Sequence, residues 1–255
     1  VEIAEDVFIV RGASVFEQRA TYLDLNFESF LNYSKKIQDH NIKATLGASV
    51  FSRRGDVLNG TAFNIPNNSI DFADISANMA QNGYLNNTGS YEFEERLLSN
   101  FLRAEYGFKY KYIFSAILRR DGSSKFGPNS RFGYFPSVSG AWIVSDEDFF
   151  NVSAISFFKF RTSYGISGND QISNFAYRAL LNGEGVYVFN DIITPGVAIG
   201  TAANPDLKWE TTRQLNLGID LQLFNLFDVS ANYFIKNTND LLFSPDVSAV
   251  IGSYG

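Results

Sequence analysis

Cysteine is absent from the chain, and histidine and methionine occur once each. Without thiols there are no disulfides and no thiolate metal sites, and passage through an oxidising compartment carries no risk of mispairing. A single histidine, His40, leaves a zinc site short of ligands, and no Gly-x-Ser-x-Gly stretch offers it a nucleophile. The most obvious reading of His40 is a solvated turn residue. No run approaches the ~18 consecutive apolar residues of a membrane helix, and the mean hydropathy is only -0.09. Basic residues are in deficit, with a formal net charge of -6, which argues against a nucleic-acid partner because phosphate binding wants a basic face. Helical periodicity is scarce as well. Asp71–Ala80 is the one ambiguous segment.

Aromatic residues are abundant, with 25 Phe and 13 Tyr, and many fall at every second position. Leu102, Ala104, Tyr106 and Phe108, then Tyr110, Tyr112, Phe114, Ala116 and Leu118, are interleaved with Arg103, Glu105, Lys109, Lys111, Ser115 and Arg119. Successive side chains of a strand point to opposite faces, so one face is greasy and the other polar. Long strands of this kind, rich in Tyr and Phe, suit a wall between lipid and water. Only alternate residues meet lipid, which is why hydropathy overlooks such a wall.

Four strand pairs follow from the alternation: Tyr22–Tyr33 with Ile42–Phe51, Leu97–Phe108 with Lys111–Asp121, Phe132–Ser145 with Ile155–Ile166, and Leu207–Leu223 with Phe227–Phe243. Tyr22–Tyr33 slips register near Ser29–Phe30. Short connections close each pair: the polar turn Ser34–Asn41, Lys109–Tyr110, the acidic Asp146-Glu147-Asp148 and Phe224–Leu226. Longer polar loops (Ser52–Arg96, Gly122–Arg131, Ser167–Asp206) join one pair to the next. Outer-membrane barrels have this arrangement, with short periplasmic turns and longer extracellular loops. The expected fold is therefore all-β, an antiparallel transmembrane β-barrel present as a partial wall of about eight strands. Val1-Glu-Ile-Ala-Glu-Asp lacks the basic start and apolar core of a signal peptide, and Gly255 falls in a Gly/Ser stretch. Both ends read as cuts, and a piece of something longer is expected.

Three ordered segments resemble SusC/RagA-type TonB-linked outer-membrane transporters. The first runs from Leu118 to Trp142 and carries Arg120, Asp121, Gly122, Ser123, Ser124, Phe126, Gly127, Arg131, Gly133, Tyr134, Phe135 and Pro136. The second, Phe158–Gln171, carries Tyr164, Gly165, Gly168 and Asn169. The third, from Asn204 to Asp220, opens as NPDLKWE and carries Asn204, Pro205, Leu207, Trp209 and Glu210. Val1–Thr21 and Thr61–Glu95 match nothing comparable. The resemblance implies a 22-stranded barrel of which residues 1–255 form part, with the plug domain outside this chain. It also implies import of oligosaccharides or peptides through the bacterial outer membrane, energised by TonB acting on the plug, with a SusD-like surface lipoprotein as cap and membrane lipid around the wall. No cofactor is implied.

Individual groups have plainer readings beside functional ones. Arg119-Arg120-Asp121 is first an ion pair at a strand end. Asp121-Gly-Ser-Ser lacks the spacing of a phosphate loop and reads as a turn with Gly122 at a special backbone angle. Asp146, Glu147 and Asp148 read as solvated acids, and Asn169-Asp170 and Asn190-Asp191 as loop chemistry. Tyr106, Phe108, Tyr110 and Tyr112 suit an aromatic girdle; Phe132, Tyr134 and Phe135 suit a girdle or stacking on sugar rings. Trp209, at a strand's outer end, is the aromatic expected to meet ligand or partner. No catalytic constellation emerges, so an enzyme is not expected. Two rival architectures remain: a free-standing small barrel serving as anchor or adhesin, and a soluble glycan-binding β-sandwich, whose apolar face would meet a partner sheet.

Overall fold

In a computed structural model of the chain, residues 14–243 are described apart from 64, 66–68, 73, 77–86, 191 and 202. The alternating segments form strands: β1 Ser14–Ile37, β2 His40–Phe63, β3 Asn87–Phe108, β4 Tyr112–Ser123, β5 Phe132–Ile143, β6 Ile155–Asn169, β7 Leu180–Phe189, β8 Ile192–Thr201, β9 Glu210–Leu223 and β10 Phe227–Asn239. Eight of them make one sheet in the order β1-β2-β3-β4-β5-β6-β9-β10, and β7 and β8 pair separately. The expected antiparallel wall of about eight strands is present.

Cross-strand register turns the one-dimensional alternation into rows. One row runs Phe108, Tyr112, Trp142, Phe160, Ile219, Ala231 from β3 to β10. The next is Tyr106, Phe114, Gly140, Thr162, Leu217, Tyr233, followed by Ala104, Ala116, Val138, Tyr164, Leu215, Ile235. These side chains are largely uncovered, with Phe114 at 55% and Tyr233 at 62% exposure. From Leu215 to Leu223 the apolar stretch of β9 is roughly 27 Å long, enough for a tilted strand to cross an apolar band. The opposite face carries Glu105, Ser115, Ser139, Ser163 and Asn216 in one row.

Both rival architectures fail on this topology. A closed eight-stranded barrel needs β1 paired with β10, yet these are the two ends of the sheet order. A sandwich needs a second sheet over the apolar rows, whereas the other sheet among the described residues is the β7–β8 hairpin.

Several boundaries differ from the sequence expectation. β1 is unbroken through Ser29 and Phe30, and only Gln38 and Asp39 separate it from β2. Much of the expected loop Ser52–Arg96 is strand, because β2 continues to Phe63 and β3 starts at Asn87. The expected loop Ser167–Asp206 contains β7 and β8. Strand β5 stops at Ile143 and a 3₁₀ turn, Val144–Asp146, follows. Of the ambiguous Asp71–Ala80, Asp71 and Phe72 close a 3₁₀ turn begun by Ile70, and 73 and 77–80 lie outside the described residues. Pro136 sits inside the sheet without disrupting it, because the β5–β6 ladder begins one residue later, at Ser137, and the missing donor falls beyond it.

Two compact units separate, within Val1–Asp24 and Arg53–Glu94, and within Leu25–Ser52 and Glu95–Gly255. In the first, the Arg53 guanidinium donates to both Asp24 carboxylate oxygens at 2.8 and 2.7 Å. Phe93 fills the space where Gly55 would carry a side chain, its ring 2.3 Å from that position. The second unit holds the apolar rows, the polar rows behind them and the three motif segments.

Candidate functional site

The polar face of the second unit is a hydrogen-bonded lattice. Arg161 on β6 donates from Nε and Nη2 to the two Asp220 oxygens at 3.0 and 3.2 Å, and from Nη2 to Asn232 Oδ1 at 2.6 Å. Ser230 Oγ donates to Asp220 at 2.7 Å. One row along, Gln214 donates to Asn216 at 2.7 Å, which donates to Ser163 at 3.0 Å. Arg161 reaches β10 only because β9 places a glycine beneath it. A β-carbon on Gly218 would lie 2.8 Å from Arg161 Cζ and 2.9 Å from Asn232 Oδ1. The Arg103–Glu105 pair extends the polar lattice onto β3. Small residues (Ser139, Ala141, Ser163 and Gly218), with Arg161 and Lys159, line a shallow hollow of about 280 Å³. Such a face can bind polar groups in multidentate fashion.

Sequence reading missed Arg161, Gly218, Asp220 and Asn232 as a group. The available signal was Gly218 itself, an isolated glycine inside an alternating strand, which marks a close approach.

The three motif segments meet at the long-loop end. Phe126, Phe135 and Trp209 form a buried cluster, joined by Leu97, Ile166, Ile172, Leu207 and Leu242. Trp209 packs 5.0 Å from the Phe126 ring and edge-on to Phe135 at 5.3 Å, and its Nε1 donates to the Arg131 carbonyl at 3.1 Å. It is 7% exposed. The expectation that Trp209 meets ligand or partner is therefore corrected: ring and N–H are both already engaged. Two motif glycines make room for Phe135, since β-carbons on Gly133 and Gly168 would fall 2.4 and 2.1 Å from its ring. Gly127 lies where a β-carbon would sit 3.3 Å from the Pro205 carbonyl. Glu210 accepts from Asn169 Nδ2 at 3.2 Å and from the Leu242 amide at 3.1 Å. The Asn204 carbonyl accepts from the Leu207 amide at 3.2 Å. Ser124 ties the loop to β3, its amide donating to the Arg96 carbonyl and its hydroxyl accepting the Arg96 amide, both at 2.9 Å.

Around Asp121 the ion-pair reading holds. Arg119 Nε reaches both Asp121 oxygens at 2.8 Å, and its Nη2 reaches Ser99 at 3.0 Å. Arg120, on the other face, lies 3.7 Å over the Phe132 ring. Gly122 is a strand residue, not a turn with a special angle; Phe132 occupies its side-chain space at 2.4 Å. Ser123 is buried, and its amide donates to the Arg131 carbonyl at 3.1 Å. Tyr134 points outward, 60% exposed, in line with Tyr164 of the apolar rows. A β-carbon on Gly165 would lie 3.0 Å from that of Ser137.

At the short-turn end, two expectations are revised. His40 is not a free turn residue: it opens β2, its Nδ1 lies 2.8 Å from the Tyr106 hydroxyl, and its ring is 5.0 Å from Phe108. Glu147 is not a solvated acid. It accepts from Trp142 Nε1 at 3.0 Å and from Lys111 Nζ at 3.3 Å. The Trp142 indole N–H first, then the Tyr112 hydroxyl and the Lys111 ammonium, hold its carboxyl below the ordinary glutamate range against the opposing effect of desolvation. Phe108, Tyr112, Trp142 and Phe149 follow one another at 6.3 Å spacings. In the loops, Asn169 Oδ1 accepts the Gln171 amide at 3.1 Å and Asn190 takes a left-handed turn conformation with φ 50°; Asp191 lies outside the described residues.

Residues 7–255 match the family described as "TonB dependent receptor-like, beta-barrel". The chain belongs to this family. It is 36% identical over 250 residues to TonB-dependent receptor P3 of Formosa agariphila, covering 94% of this chain and 24% of that protein. It is also 34% identical over 159 residues to TonB-dependent receptor SusC of Bacteroides thetaiotaomicron, covering 60% of this chain and 16% of the relative. A solved structure of the RagAB peptide transporter superimposes with a TM-score of 0.79 at 27% identity, over 94% of this chain and 26% of that one. The chain thus spans about a quarter or less of the length of these relatives. The fold is that of a TonB-dependent receptor-like β-barrel, of which the described strands form part of the wall.

Proposed function

We propose that this chain forms part of the wall of an outer-membrane importer for peptides or oligosaccharides. Its apolar rows meet lipid, and its Arg161–Asp220–Asn232 lattice faces the interior of a closed barrel of about 22 strands, plugged by a domain outside residues 1–255. Import is energised through TonB acting on that plug, and a SusD-like surface lipoprotein caps the long-loop end. The observation that carries this reading is the two-sided sheet, greasy on one face and hydrogen-bonded on the other across β3 to β10. The likeness to a peptide transporter supports the choice of cargo. Unpaired strand edges in lipid cost several kcal/mol per group, which supports β1 and β10 pairing with further strands in the whole protein.

The test is to purify the native protein from outer membranes through an affinity tag and weigh it intact. A species several-fold heavier than 28.5 kDa, with a lipoprotein co-eluting, is the expected result. A native species near that mass would contradict the proposal.

A further inference from the structure

In the first compact unit Gly55 leaves one side of β2 bare, and a ring from β3 fills the space. Phe93 lies 2.3 Å from where a Gly55 β-carbon would sit, and its ring centre is 6.2 Å from that of Tyr22 on β1, across β2. Tyr91, two residues back along β3, adds a third ring 6.3 Å from Phe93 and inclined to it by 28°. One row away, Asp24 and Arg53 form their two-point pair at 2.7 and 2.8 Å. Residues two apart on a strand share a face and lie about 7 Å from each other, so the three rings and the pair occupy one side of the sheet. The other side carries Arg54 and Glu94, 3.9 Å apart. Along β3, Tyr91 and Phe93 fall in the alternation of Arg103 and Glu105, the polar set, and not in that of Leu102 and Tyr106. A lipid girdle therefore does not account for these rings. Covering Gly55 needs Phe93 alone, yet Tyr22 and Tyr91, 56% and 54% exposed, extend the aromatic surface across to β1 and along β3.

We propose that Tyr22, Phe93 and Tyr91, with the Asp24–Arg53 pair, bind a neutral oligosaccharide entering the barrel. A sugar ring has an apolar C–H face and a rim of hydroxyls. The aromatic faces match the first. The carboxylate and guanidinium one row away match the second through charge-assisted hydrogen bonds, since each carboxylate oxygen carries a lone pair beyond the one turned to Arg53. Phe93 is held by its fit to Gly55, so little conformational freedom is lost on binding. Charge and pairing favour a sugar over a peptide. The Asp24–Arg53 pair is neutral as a unit and attracts neither terminus of a peptide, and β2 lies between β1 and β3, so its backbone is already paired. The inference rests on the importer reading in one respect, that the polar face lines the pathway, and it selects oligosaccharide from the two cargo classes.

The experiment titrates the full-length protein in detergent, by calorimetry, with linear hexasaccharides of glucose, mannose and galactose, and with an uncharged hexapeptide for comparison. At least one hexasaccharide is expected to bind, with affinity lowered about tenfold in Tyr22→Ala and about thirtyfold in Phe93→Ala. Tyr22→Ala removes an exposed ring and keeps the test open if Phe93→Ala disturbs folding. Leu23→Ala, on the opposite side of β1 and 55% exposed, should leave the affinity unchanged. Failure of all three hexasaccharides to bind, wild-type affinity in Tyr22→Ala, an equal loss in Leu23→Ala, or hexapeptide binding lost in the same ring variants would each overturn the site. Wild-type protein that fails to partition with outer membranes would refute the importer reading itself; one that partitions but binds none of the hexasaccharides would refute only this site.

Discussion

The two ends of the strands treat their aromatic residues in opposite ways. At the long-loop end Phe126, Phe135 and Trp209 are buried against one another. At the short-turn end Tyr110 and Phe149 stand 56% and 70% exposed, and Phe108, Tyr112 and Trp142 line up along the surface. Connection length explains the difference between the Phe126 loop and the rings beside the β3–β4 turn. A loop long enough to fold back, as Ser124–Arg131 does between β4 and β5, can cover a ring and exclude water. The three-residue turn Lys109–Lys111 cannot, so the rings beside it remain at the boundary, where an apolar body and a polar tip both find partners. Aromatic content alone therefore does not distinguish a core from a girdle.

Substitutions can break or sharpen this contrast. The largest effect is expected for Trp209→Ala, about 3–5 kcal/mol of stability through lost contacts and a cavity, read as thermal unfolding of the full-length protein in detergent. Phe149→Ala at the other end should stay within about 0.5 kcal/mol; equal losses would erase the distinction. Gly168→Ala should cost about 1–3 kcal/mol by driving a methyl into the Phe135 ring. In a double-mutant cycle with Phe135→Ala that cost should largely disappear, and strict additivity would place the clash elsewhere. Arg161→Ala removes a half-exposed ion pair, so about 1 kcal/mol or less is expected. The smallest effect concerns pH. Because the folded state lowers the Glu147 pKa, its stabilisation is fully present above the ordinary glutamate value and is lost as pH falls through the lowered one. Glu147→Gln should flatten that acid limb of the unfolding profile, and an unchanged limb would assign it to other carboxylates.

What the sequence disclosed follows the same physics. Alternation is written into a strand wherever its two faces meet different surroundings, and so β4 to β6, β9 and β10 were legible to within a few residues, and β3 from Leu97 onward. The turn at Lys109–Tyr110 was located by that alternation alone. Both residues take left-handed angles, φ 50° and 56°, with none of the Asn-Gly chemistry that usually signals such a turn. Past the apolar band β2 and β3 continue, but the greasy rhythm does not. Arg53, Arg54 and Gly55 read as loop, although ion pairing to Asp24 and the Phe93 ring keep them in place. The β7–β8 hairpin lies in the expected loop Ser167–Asp206; Gly183, Gly185, Pro195 and Gly196 are residues that interrupt a strand's alternation. The burial of Trp209 depends on Phe126 and Phe135, residues more than seventy positions away, and no local pattern encodes that meeting. The motif glycines, by contrast, were visible at once; their reason, space for Phe135, was not.

The central claim is that one face of this sheet meets lipid and the other does not. The segment contains no cysteine, so single cysteines can be placed along β4 and β5 of the full-length protein and labelled in intact outer membranes with a water-soluble maleimide and a lipid-phase quencher. The account predicts quenching by lipid and protection from maleimide at 116, 118 and 138, and no lipid quenching at 115, 117 and 139. Equal maleimide reactivity at both sets of positions would contradict it.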